Sequence, residues 1–118
     1  SASPTAVTNL TSVVATNGIT LTWTNPTDSD YVATKITRSS QLMSSVTDGT
    51  VLYSGTLSSY YDDGVGFTDM YADGYVYYGA YSVDNVGKTS TLSQISAVTW
   101  SNWLTEAQHA RLYVEGII

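Results

Sequence analysis

The stretch that most limits what this chain can become is "NGITLTWT", Asn17 to Thr24, in which Ile19, Leu21 and Trp23 alternate with Thr20, Thr22 and Thr24. A strict period of two puts the three apolar residues on one face, so the segment reads as a β-strand buried on one side and wet on the other. A helix would scatter the same residues around its axis. Asn17-Gly18 readily takes the positive φ angles of a two-residue hairpin turn, which makes the preceding "NLTSVVAT" its antiparallel neighbour.

The rest of the chain repeats this grammar. Pro26 and "TDSD" stop the strand, and "YVATKITRS" follows as another run rich in β-branched residues. "SQLMSSVTDG" reads as a loop closing at Asp48-Gly49, followed by "TVLYSG", a short "SSYYD", a Gly/Asp-rich connection from Asp62 to Gly74, the tyrosine-rich "GYVYYGAYSVDNVGK", and "TLSQISAVTW". About seven short strands separated by turn signals at roughly 8 to 12 residue intervals predict an antiparallel sandwich. Helix has almost no place before Trp100. The 118 residues suit one core.

Taken in order, "PTAVTNLTSVVATNGITLTWTNPTDSDYVATKITRSS", "GTVLYSG", "SSYYDD" and "YVYYGAYSVDNVGKTS" resemble a fibronectin type III domain of the kind found in bacterial and phage surface proteins. The resemblance runs from about Pro4 to Thr99, and it makes residues 1–99 the sandwich. It implies an all-β, seven-stranded immunoglobulin-like fold, with strands A, B and E facing strands C, C′, F and G. It also implies no inherited active site, because the family serves mostly as spacer and recognition module. Two features depart from the family. Val76 stands where the family usually places a strand-F tyrosine that anchors a corner, so either Tyr75 or Tyr77 takes that role through a one-residue shift or the corner is missing. The connection "DDGVGFTDMYADG" is also several residues longer than usual, and long loops in compact domains are often functional.

Charge and composition narrow the function. Ten acidic residues against four basic ones give a net charge of −6, with no basic stripe to neutralise phosphates, so nucleic acid is not expected as a partner. No run of about 18 apolar residues predicts membrane insertion, and no charged-then-apolar leader is visible. A chain beginning at Ser1 reads as a processed or excised piece. Cysteine is absent, which removes disulfides, thiolate metal sites and cysteine nucleophiles together.

Among candidate sites, the tyrosines stand first. With period two, Val76, Tyr78, Ala80 and Ser82 share one face of their strand, and Tyr75, Tyr77, Gly79 and Tyr81 share the other. The family register sends the first set inward. Tyr75, Tyr77 and Tyr81 then stand on the outer face with a shallow gap at Gly79. They are there either because tyrosine has high β-propensity or as a contact surface for a protein or a glycan. Asp28, Asp30, Asp62, Asp63, Asp69 and Asp73 fall in loops where calcium could find oxygen ligands, but no EF-hand spacing is present and turn aspartates usually bond their own backbone. No metal or other cofactor is expected. Asp62-Asp63 cannot act as a glycosidase pair in a strand, since adjacent side chains point to opposite faces. His109 has no nearby histidine partner, and Asn9-Leu10-Thr11 fits a glycosylation acceptor. Nothing pairs a nucleophile with a base, so the chain is not expected to be an enzyme.

The tail, residues 100–118, differs in kind. "SNWLTEAQHARLYVEGII" has a cap at Ser101 or Asn102, good helix formers and Gly116 as a stop. Trp103, Ala107, Ala110 and Val114 fall on one helical face with Leu104 beside them, an apolar stripe that must fold back, pack on another chain or begin a following domain. We expect it to be an assembly contact with a neighbouring domain or subunit, including a second copy of this chain. The expected role is a non-catalytic structural or adhesive module of a virion or surface assembly, extracellular, on a cell surface or on a virion. The alternative is a carbohydrate-binding accessory domain of a secreted polysaccharide-degrading enzyme.

Overall fold

A computed structural model describes residues 3–15, 18–39, 41–63 and 75–99. They contain seven strands: β1 (Thr8–Ala15), β2 (Gly18–Thr24), β3 (Tyr31–Ser39), β4 (Thr50–Gly55), β5 (Ser59–Asp62), β6 (Tyr75–Asp84) and β7 (Ser93–Thr99). The order β1-β2-β5 forms one sheet and β4-β3-β6-β7 the other, all neighbours antiparallel. This is the division of strands that the sequence resemblance implies. Among the described residues no helix is long and apolar enough to cross a membrane. The tail helix, with Trp103, Leu104, Ala107, Ala110 and Val114, lies outside the described residues, as do His109, Asp69 and Asp73.

The alternating segment behaves as its period demands. Ile19, Leu21 and Trp23 are 0 %, 0 % and 5 % exposed, while Thr22 and Thr24 face solvent. From the opposite sheet, Ile36, Val76, Tyr78 and Ala80 meet them, and Val7 and Leu10 complete the core. Trp23 packs at a tilt on Tyr53, and Tyr53 on Tyr60, with ring centroids 6.0 and 5.7 Å apart, so an aromatic seam closes the side where β4 and β5 are the sheet edges. The indole N–H of Trp23 would be costly to bury unpaired, and it donates to Asn25 Oδ1 at 2.8 Å. Asn25 in turn donates from Nδ2 to the carbonyls of Thr56 and Leu57, both at 3.1 Å. One side-chain amide thereby fastens the loop after β2 to the loop before β5.

The other long side is closed by the N-terminal segment. Ser82 donates to the Thr5 carbonyl at 2.7 Å and Ser93 to the Val7 carbonyl, so β6 and β7 each hold the segment that leads into β1. The Asp28 carboxylate accepts from the Thr5 amide at 2.9 Å and from its hydroxyl at 2.8 Å, and these bonds hold the Asp28 carboxyl below its ordinary value. Asn9 takes the left-handed conformation, φ 58°, where β1 and β2 lose register between Thr8 and Thr11. Asparagine tolerates that region better than most residues.

Of the residues expected at the strand-F corner, Val76 is buried, Tyr77 is half-buried and the side chain of Tyr75 lies outside the described residues. Tyr78, an inward residue of β6 that is 0 % exposed, turns its hydroxyl to the Asp62 carboxylate of β5 in the other sheet. The family's corner returns to nearby backbone. The Tyr78 hydroxyl crosses between sheets to a charged acceptor.

Candidate functional site

The outer face of the four-stranded sheet carries the residues that the sequence pattern sets forward, and a loop changes what that face offers. In register, Thr37 of β3 lies opposite Val51 of β4 on one side and Gly79 of β6 on the other, and Gly79 lies opposite Gln94 of β7. Residues 41–49, between β3 and β4, are mostly exposed, but the loop turns Met43 inward. They fold back across this row, and Met43 becomes 3 % exposed. Thr37 Oγ1 donates to its sulfur at 3.4 Å.

Gly79 is what permits the crossing. A Cβ there would lie 2.7 Å from Thr37 Oγ1, 2.8 Å from Leu92 Cδ1 and 3.1 Å from Met43 Cε, closer than packed atoms approach. The gap expected between the tyrosines is therefore filled by Met43 and Leu92. The loop is clasped from both sides. Gln94 accepts from the Met43 amide at 3.0 Å and donates to the Met43 carbonyl at 2.7 Å. Asp48 Oδ2 accepts from the Ser44 hydroxyl and amide, both at 2.7 Å, and from the Ser45 amide at 3.1 Å. These bonds, the Ser44 hydroxyl foremost, hold the Asp48 carboxyl below its ordinary value.

Between this loop (residues 43–46) and the approach to β7 (residues 89–92 with Gln94) runs an open groove of about 430 Å³. Its walls alternate serine and threonine hydroxyls with Met43, Val46 and Leu92, and among the described residues no ionisable side chain lines it. The sequence pattern missed the groove because "SQLMSSVTDG" shows only polar loop chemistry. The signal available was Met43, a large apolar residue inside that loop.

The tyrosines fare unequally. Tyr81 is only 7 % exposed, although it lies on the outer face, which takes it out of the accessible set that the strand period predicts. β6 is an interior strand with neighbours on both sides, so its outward side chains are flanked as well as backed. Tyr77 is half-buried, and the side chain of Tyr75 lies outside the described residues. No continuous tyrosine platform remains among the described residues.

A second constellation sits inside the sandwich. Arg38 Nη1 lies 2.7 Å from Asp62 Oδ1, with both side chains almost wholly buried, and Asp62 Oδ2 receives the Tyr78 hydroxyl. Burial first, then the adjacent Asp62 charge, pushes the Tyr78 hydroxyl far above its ordinary pKa, so its proton stays in place as a donor. Asp62 and Asp63 do point apart, the first buried and the second exposed, as the strand period requires. Among the described residues no group of three or more histidine, cysteine, aspartate or glutamate side chains is placed to hold a metal ion. Asp30 contributes its carbonyl to the Asn85 amide in the turn opposite.

No family model matches the chain, and no curated protein matches it. Solved structures do. The Clostridium perfringens spore cortex lytic enzyme SleM superposes with a TM-score of 0.64 at 16 % identity, covering 80 % of this chain. The chain spans only 28 % of that enzyme. A Fn3-like protein from Clostridium thermocellum superposes with a TM-score of 0.59 at 22 % identity, covering 80 % of this chain and 92 % of its own. Two antiparallel sheets of three and four strands, with this strand order and these superpositions, give the chain a fibronectin type III-like fold.

Proposed function

We propose that this chain is a non-catalytic module of a surface-exposed or virion assembly, of the bacterial or phage surface-protein type, acting as spacer and protein contact unit. The observation that carries the reading is the use made of the buried charges. Arg38, Asp62 and Tyr78 are drawn from three strands and both sheets, and they brace one sheet against the other. A catalytic carboxylate needs a free face toward substrate, whereas Asp62 spends an oxygen on each partner inside the sandwich. A stiff body of this kind transmits position between whatever is attached at its ends. The partner contact in this reading is the apolar stripe of the tail, Trp103, Leu104, Ala107, Ala110 and Val114, on a neighbouring domain or subunit.

A second reading has its own support. The fold of this chain matches part of a spore cortex lytic enzyme, in which it spans a minor share of the length, as an accessory domain would. On that reading the chain binds carbohydrate for an attached polysaccharide-degrading enzyme. Sedimentation of the purified full chain tests the first proposal: self-association that weakens when the apolar stripe is made polar supports it. A strict monomer at all accessible concentrations, with no effect of those substitutions, overturns it.

A further inference from the structure

We infer that the groove between residues 43–46 and 89–92 is a binding site for a neutral saccharide unit, a role that rests on the carbohydrate-binding reading above and gives it a site. The groove's volume, about 430 Å³, lies within the range of small-ligand sites. Its lining excludes charged ligands as the natural occupants. Among the described residues no lysine, arginine, aspartate or glutamate lines the groove, in a chain whose net charge is −6. What the lining offers is the pairing a sugar ring presents, hydroxyls at the rim and C–H faces between them. Thr89 and Thr91 supply hydroxyls that have no hydrogen-bond partner among the described residues, and Val46 and Leu92 supply apolar surface beside them.

The site is built before a ligand arrives. The Gln94 clasp and the Asp48 carboxylate fix the wall formed by residues 43–46, so little ordering cost falls on binding. The same clasp argues against an extended peptide as the occupant. A peptide strand adds to a protein through unpaired backbone amides and carbonyls. Here the amide and the carbonyl of Met43 are both taken by Gln94, so this residue of the wall offers no backbone pair for strand addition. The hydroxyls of Thr89 and Thr91 remain available for recognition.

The test is a titration of the isotope-labelled full chain, followed by amide chemical shifts, with neutral oligomers of glucose, xylose and N-acetylglucosamine in turn and with an uncharged hexapeptide. The expected result is saturable shifts at Ser44, Ser45, Thr89 and Thr91 with at least one of the sugars, at about millimolar affinity. The double variant Thr89→Val with Thr91→Val keeps shape and strand propensity while removing both hydroxyls. It should weaken that binding about tenfold. Absence of saturable shifts with all three sugars overturns the inference, as does undiminished binding by the variant or a groove response to the peptide alone. The same samples separate this failure from failure of the carbohydrate-binding reading, because saturable shifts confined to residues outside the groove would overturn the groove as the site while sparing sugar binding by the chain.

Discussion

Arg38 enters the core because the strand period leaves it no other side: Thr34, Ile36 and Arg38 alternate inward along β3, and all three are buried. The same period on β5 sends Asp62 inward beside the core. An arginine and an aspartate at inward positions of strands in opposite sheets could have been paired from the sequence, had the pairing of strands been known. Each alone looks like a surface or loop residue, and the sequence reading kept Asp62 among the loop aspartates for that reason. Burial of one charge without the other is expensive, while the pair against a well-packed apolar substitute is close to neutral. Arg38→Met should therefore cost about 3–5 kcal/mol, by removing the buried counter-charge at 2.7 Å from the Asp62 carboxylate, and adding Asp62→Leu should restore most of that loss. Urea denaturation of the two variants checks this. A single variant that loses under about 1 kcal/mol would mean the brace contributes little.

At the scale of elements, the strands were legible and the loop was not. Alternation marked every strand of the core, since one face of each meets the other sheet, and it correctly assigned Trp23, Tyr78 and their neighbours inward. The docking of residues 41–49 depends on Gln94, 51 positions away from Met43, and on the missing side chain of Gly79. No local period encodes such a contact. It follows that the loop's hold is partly electrostatic and partly packing, and acid should separate the two. Asp48 has a folded-state pKa lowered from 3.8, so its contribution is present above that value and is lost as pH falls through the lower folded one. Between neutral pH and 3.8 the Ser44 and Ser45 amides should hold their shifts, and below 3.8 they should move together while the β2 and β6 amides stay fixed. Asp48→Asn should abolish that acid transition. A carboxyl midpoint for Asp48 at or above 3.8 would show that the bonds from Ser44 do not persist in solution.

For the whole molecule, the described ladders close without the tail. β7 ends at Thr99 opposite Tyr75, the first residue of β6, and the core cluster draws on Val7 to Ile95. If the sandwich is complete at that point it needs no further element, and Trp103, Leu104 and Val114 would each contribute about 1.5–3 kcal/mol on burial wherever they find a partner. Deleting Ser101 to Ile118 should then leave a cooperatively melting β domain whose midpoint shifts by no more than about 5 °C, while self-association or docking weakens sharply. Circular dichroism reports the first property and sedimentation the second, and both are needed. If the truncated chain loses its β signal, the apolar stripe belongs to the domain's own core and the assembly role assigned to it is wrong. If it folds and still associates as the full chain does, the contact lies on the sandwich, with the outer face bearing Tyr77 and the clasped loop as the next surface to alter.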